Sequence, residues 1–71
     1  MNFATLVKYV RKELNLSQEQ LARELSISFS TINRWENEKS KPSQMAKELF
    51  YGFCKSRNVD VNFVKEGGRD D

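Results

Sequence analysis

The chain has 71 residues, of which 38% are hydrophobic and 31% charged, and its formal net charge is +2. A chain of this length forms one small domain that buries only about 60% of its unfolded surface, with little room for a separate ligand-binding or dimerisation domain. The small positive charge permits nucleic acid binding without requiring it. Because the chain has no histidine and one cysteine, composition argues against a zinc site and against an internal disulfide framework.

The sequence contains no recognisable targeting or catalytic motif. No apolar run approaches the ~20 residues needed to cross a bilayer, and the N-terminus lacks a signal-peptide pattern. The sequence also lacks a glycine-rich phosphate loop and a nucleophile elbow. We therefore expect a cytoplasmic protein, nucleoid-associated through any DNA binding, that is not an enzyme and has no catalytic residue, metal or cofactor.

A first helix is predicted over residues 3–14, because apolar residues recur there at helical spacing. These residues are Phe3, Leu6, Val7, Val10 and Leu14. The outer face of this helix is expected to carry three basic side chains, those of Lys8, Arg11 and Lys12.

Two shorter helices follow. Ser17 is a good N-cap, and Gln20 completes a capping box for a second helix that runs to about Leu25. Residues 26–28 read as a short turn, after which Ser28 can cap a third helix ending near Asn37. Two brief helices held at a steep angle by shared apolar contacts form a helix-turn-helix, whose second helix can enter the major groove of DNA.

The second half of the chain completes the bundle. Residues 38–42 form a polar connector, and Ser43 can cap a fourth helix. The predicted apolar stripe of that helix, with the cysteine in the core, consists of Met45, Ala46, Leu49, Phe50, Phe53 and Cys54. Residues 59–63 alternate as a strand would, but a short fifth helix from Asp60 is preferred because a lone strand has no partner.

These elements predict an all-α fold, a compact four- to five-helix bundle with the helix-turn-helix at helices 2 and 3. The domain is expected to span residues 1–64. Gly67-Gly68 breaks the chain, so residues 65–71 are expected to form a flexible tail.

The third helix can be oriented from its sequence. At 100° per residue, Ser28, Ile32 and Trp35 cluster on one side, flanked by Thr31 and Glu36. The two large apolar groups on that side, Ile32 and Trp35, must face the core. A structural hydrogen bond or solvation suits Glu36 better than a catalytic role. The opposite side presents an unusual set with one charge and an exposed aromatic ring: Phe29, Ser30, Asn33, Arg34 and Asn37.

Each member of this set has a use in a DNA groove. The planar fork of Arg34 fits guanine O6 and N7, and the amide of Asn33 fits adenine N6 and N7. Phe29 can press on a thymine methyl group, and Ser30 can bond a base edge or a phosphate. The alternative is that Phe29 covers the turn and that the polar side chains are simply solvated.

Residues 18–37 carry a family resemblance. Gln18, Leu21, Ala22, Leu25, Ile27, Ile32 and Trp35 stand where the twenty-residue motif of the Xre/Cro-type, lambda-repressor-like helix-turn-helix family expects those residue types. The run RWENEKSKPS also resembles the family's W-E-x-G-x-x-x-P-S signature. Together these similarities extend over about residues 5–55.

Two departures concern glycine. Ser26 and Glu38 stand where the family usually has glycine, at turns that favour a left-handed backbone. A side chain there costs roughly 1 kcal/mol if that conformation is required. Either the turns relax, with Asn37 taking the strained position, or stability is reduced.

The resemblance implies roles for matching positions. Base contacts are expected from Ser28, Phe29, Ser30, Asn33 and Arg34. Phosphate contacts are expected from Ser17, Gln18, Asn37, Lys39 and Lys41. For the two lysines a solvated linker is an equally good interpretation, and the two serines at helix starts are caps in either case.

The expected function is that of a sequence-specific double-stranded DNA-binding transcription regulator, a repressor that occupies an operator. Members of the resembled family usually bind inverted repeats as dimers. A candidate homodimer surface is Val59–Val64 with the end of the fourth helix, although a monomer closing over its own fifth helix explains those residues equally well. The alternative function is a protein-interaction or targeting module, either an antitoxin-like partner or an accessory domain of a DNA-modifying system.

Overall fold

The computed structural model describes residues 2–61 and contains four α-helices in that range. They are α1 (Phe3–Leu14), α2 (Gln18–Leu25), α3 (Phe29–Glu36) and α4 (Gln44–Ser56). The predicted all-α class and the predicted helix positions are confirmed. None of these helices is long and apolar enough to span a membrane.

Every helix starts at a polar N-cap whose side chain accepts a hydrogen bond from the backbone amide three residues later. The four caps are Asn2, Ser17, Ser28 and Ser43. At Ser17 the capping box is complete, because the Ser17 amide also donates to Oε1 of Gln20 at 2.8 Å. The sequence predicted three of these caps and missed Asn2.

The core is a single apolar cluster to which all four helices contribute. Its buried members are Leu6, Val7, Val10, Leu21, Ala22, Leu25, Ile32, Trp35, Phe50, Cys54 and Val61. The ring of Phe3 packs edge-on against Trp35 and Phe50, with centroids 5.2 and 5.4 Å apart. This cluster joins α3 to both α1 and α2, and therefore fixes which face of α3 is exposed.

The predicted apolar stripe of α4 is only partly buried. Phe50 and Cys54 are fully buried, whereas Met45 is 79% exposed and Leu49 is 44% exposed. The stripe prediction is wrong at these two positions. They lie about 100° and 140° from Phe50 around the helix, for Leu49 and Met45 respectively, outside the arc that faces the core.

Each helix is followed by a residue with a left-handed backbone, and none of these residues is glycine. They are Asn15, Ser26, Glu38 and Asn58, with φ of 58°, 59°, 58° and 62°. After each one, an amide bonds back to the carbonyl five residues earlier, as Ile27 does to Ala22 at 2.9 Å. The turns have therefore not relaxed. Asn37, with φ of −99°, does not take the strained position.

The segment after α4 folds back on the core. Val59 packs against it and Val61 is buried. Asp60 and Val61 are not helical, so a fifth helix does not begin at Asp60. The rest of that predicted helix, the domain boundary at residue 64 and the predicted tail lie outside the described residues. Val59 and Val61 of the predicted dimer surface are therefore packed inside the monomer, whereas the remaining residues of that segment, 62–64, lie outside the described residues.

Candidate nucleic-acid interface

The helix-turn-helix is formed by α2, the turn at residues 26–28, and α3. Ser26 ends α2 with its left-handed backbone, and Ile27 packs against the core. Ser28 then caps α3 by accepting from the Thr31 amide at 3.2 Å. Because both helices are anchored in one cluster and joined by only three residues, their relative orientation is fixed by packing.

The two sides of α3 differ as predicted. Ile32 is fully buried and Trp35 is 5% exposed, so both anchor the helix to the core. The exposed side presents Phe29, Ser30, Arg34 and Asn37, while Asn33 is half-buried at its edge. Phe29 keeps 47% of its surface exposed. The predicted orientation of α3 is confirmed.

A partly buried ion pair holds the end of α3 against α1. Nε of Arg11 donates to Oε2 of Glu36 at 2.6 Å, and Nη2 donates to Oε1 at 3.0 Å. Nη1 of Arg11 also donates to the Leu16 carbonyl at 3.1 Å. The Glu36 side chain is only 3% exposed. The hydrogen bonds to Glu36 raise the pKa of the Arg11 guanidinium above its ordinary value. The contact is bidentate, because two guanidinium nitrogens of Arg11 each donate to a different carboxylate oxygen of Glu36.

The same carboxylate begins a chain of amide hydrogen bonds that runs to the exposed side of α3. Nε2 of Gln18 donates to Oε1 of Glu36 at 3.0 Å. Nδ2 of Asn33 donates to Oε1 of Gln18 at 3.3 Å, and Nδ2 of Asn37 donates to Oδ1 of Asn33 at 3.1 Å. We call this set, Arg11–Glu36–Gln18–Asn33–Asn37, the polar network. It links α1, the start of α2 and the outer edge of α3.

The polar network engages three of the predicted DNA-contact residues. A side-chain amide has two N–H donors and two acceptor lone pairs. Within the described residues, Asn33 uses one donor and one lone pair in the network, so one of each is left for a base edge. Gln18 likewise keeps one N–H for a phosphate. These side chains are pre-oriented rather than freely rotating.

The other predicted site residues divide into exposed groups and caps. The Arg34 guanidinium is exposed and makes no side-chain hydrogen bond or ion pair within residues 2–61. Lys39 and Lys41 are exposed in the connector after α3, and Ser30 is exposed on α3. The hydroxyls of Ser17 and Ser28 cap helices, at 3.0 and 3.2 Å from the bonded amides.

Sequence reasoning missed the partnership of Arg11 with Glu36. It placed Arg11 on the outer face of α1 with Lys8 and Lys12; those two lysines are exposed, but Arg11 turns toward α3. One signal was available. Glu36 follows a core tryptophan on the buried flank of α3, where an acid needs a cationic partner. The structural role expected for Glu36 is confirmed.

The arrangement defines a class of protein: a helix-turn-helix domain whose second helix is anchored on one side and offers Arg34 on the other. The chain matches the helix-turn-helix family over residues 7–46, more than half of its length. It belongs to this Xre/lambda-repressor-like family of DNA-binding transcription regulators. Searches of curated proteins and of solved structures found no match.

Proposed function

We propose that the protein is a sequence-specific repressor that occupies an operator with α3 in the major groove. The observation that carries this proposal is the two-sided character of α3. Ile32 and Trp35 anchor one side in the core, and the other side offers Arg34 with no partner among the described residues. An unpaired guanidinium on a rigid exposed helix fits guanine O6 and N7.

The remaining base contacts come from the same side of α3. The exposed ring of Phe29, at the first position of α3, fits the methyl group of a thymine. Ser28 and Ser30 lie beside it, and the amide of Asn33 offers its remaining donor and acceptor to adenine. Because the polar network holds Asn33, this contact needs little reordering of the side chain.

Phosphate contacts are proposed on both sides of α3. The start of α2, with Ser17 and Gln18, offers backbone amides and the positive end of a helix dipole. Asn37, Lys39 and Lys41 follow α3 and are exposed. The polar network joins Gln18 to Asn33, so the phosphate contact and the base contact are held in one register.

The test is the salt dependence of duplex binding. Sequences selected from a random duplex pool would identify the operator. The logarithm of the binding constant for that operator should fall linearly with the logarithm of the salt concentration, with a slope of about −0.9 for each phosphate contacted. We expect the selected sites to be inverted half-sites about one helical turn apart, as a dimeric regulator requires. The proposal would be overturned if the chain bound no duplex at low ionic strength and selected no sequence.

The exposure of Phe29 favours a second candidate function, that of a protein-interaction module. In this case the chain would be an antitoxin-like partner or an accessory domain of a DNA-modifying system, and the exposed side of α3 would contact another protein. An aromatic residue is typical of the centre of such interfaces. The salt experiment separates the two functions, because a protein contact centred on Phe29 would depend little on salt.

A further inference from the structure

The exposed face of α4 carries a row of residues that the rest of the described chain, residues 2–61, leaves uncovered. Met45, Leu49, Gly52 and Ser56 recur at spacings of four, three and four residues, within an arc of about 60° on the helix. We call this row the α4 stripe. Met45 and Leu49 are the most exposed large apolar groups besides Phe29 in the described residues. A methyl group added at Gly52 would meet nothing within 4 Å.

Two opposite charges flank the α4 stripe on the same edge. Glu48 and Lys55 are seven residues apart, which places them on one side of the helix about 10 Å from each other along its axis. That separation is too long for a pair within α4. Among residues 2–61 neither side chain forms an ion pair, and Glu48 accepts only a long hydrogen bond from Gln44 at 3.4 Å.

We propose that a second copy of this chain packs on the α4 stripe, with the two α4 helices antiparallel about a two-fold axis. In that arrangement Met45 lies opposite the partner's Ser56, and Leu49 lies opposite the partner's Gly52. Each large side chain meets a small one, which lets the helices approach closely. Glu48 then faces the partner's Lys55, and two-fold symmetry repeats this ion pair.

A parallel pairing of the same faces fits less well. It would place Met45 against Met45 of the partner subunit and leave the two small residues opposite each other. Large groups would meet at one end of α4 and a gap would form at the other. Glu48 would also lie far from the partner's Lys55. Size and charge therefore both select the antiparallel dimer.

The dimer is expected to be weak in solution. One helix face buries less than the ~1,200 Å² typical of stable interfaces. When two copies bind adjacent half-sites, each has a high effective concentration near the other, so the α4 contact would form mainly between DNA-bound copies. This last step rests on the proposed function, whereas the surface itself can be tested without DNA.

The test is charge reversal, measured by sedimentation equilibrium of the full chain at low salt up to millimolar concentration. Glu48→Lys alone and Lys55→Glu alone should each weaken dimerisation at least tenfold, because each puts like charges opposite one another twice. An equimolar mixture of the two variants should form a heterodimer with about the wild-type affinity, since both ion pairs between the two chains are then attractive. A chain carrying both changes should also dimerise with itself.

Leu49→Glu is the apolar counterpart and should give a monomer. Its unfolding by urea should match the wild type, because Leu49 is exposed in the monomer. A wild-type chain that remains monomeric at millimolar concentration would overturn the proposal, whether residues 62–71 or another protein covers the stripe. Dimerisation that none of these changes weakens, or a mixture that stays monomeric, would overturn it too. Binding of the monomeric variants to a single half-site duplex tests the proposed function separately.

Discussion

Single residues at the turns set the stability of this domain. Ser26 and Glu38 both hold left-handed backbones, at φ of 59° and 58°, although each carries a side chain. Asn15 and Asn58 adopt the same conformation, which asparagine tolerates better than serine or glutamate. Two of the four turns therefore carry a cost that glycine would remove.

Ser26→Gly and Glu38→Gly should each stabilise the protein by about 0.5–1 kcal/mol, because relief of the left-handed strain exceeds the entropy lost by glycine. In a domain of this size the midpoint of thermal unfolding should rise by roughly 2–8 °C. Ser40→Gly is the matched control, since Ser40 has no positive φ. Equal effects of all three changes on thermal unfolding would show that the turns carry no strain.

Arg34 and Lys39 are close together in the sequence but should contribute differently to DNA binding. Arg34→Ala should relax base preference at one position per half-site, at a cost of about 1–3 kcal/mol for the preferred base. Lys39→Ala should weaken binding to all sequences alike and reduce the salt slope by about one. Competition between duplexes with single base changes measures both effects. If the two variants behave identically, the assignment of Arg34 to bases and Lys39 to phosphates is wrong.

Among the helices, the polar network holds α2 and α3 in place relative to α1. α2 and α3 have eight residues each, too few to be stable in isolation. The pair Arg11–Glu36 fastens the end of α3 to α1, and Gln18 brings the start of α2 to the same carboxylate. The geometry between the two helices that are proposed to meet DNA therefore depends on a residue of a third helix.

Arg11→Met should destabilise the protein by about 2–4 kcal/mol, because it leaves the Glu36 carboxylate buried without a cation. The double change Arg11→Met/Glu36→Leu should recover much of that loss, since no buried charge then remains. Urea denaturation of both single variants and the double variant gives the coupling energy. Lys12→Met, at an exposed neighbour on α1, should change stability by less than about 0.5 kcal/mol. Additive effects of the two changes would contradict the pairing.

For the whole molecule, stability depends on one small apolar core. Cys54 is fully buried in it, and this burial raises the pKa of its thiol from an ordinary value of 9.0 to about 11. The folded chain therefore keeps a proton on Cys54 at a pH where the unfolded chain has lost it. A raised pKa on an acid destabilises the folded state as pH rises.

Stability should be unaffected by this group below pH 9 and should fall between about pH 9 and 11, by up to roughly 2–3 kcal/mol. Urea denaturation at several pH values measures the loss. Cys54→Ala is less stable throughout because it leaves a cavity, but it should lack this component of the slope. Parallel pH profiles for the wild type and Cys54→Ala would show that the thiol does not titrate in this range.

Features that depend on neighbouring residues in the chain could be predicted from the sequence. The positions of α1 to α4, three of their four caps and the inward face of α3 follow from helical spacing and capping chemistry within a few residues. Three features required the packed helices: the partner of Glu36, the exposure of Met45 and Leu49, and the packing of Val59 and Val61 inside the monomer. Arg11 and Glu36 are 25 residues apart, and no local pattern states which helix faces meet. Periodicity shows which side of a helix is apolar, but the neighbouring helices decide how much of that side they cover.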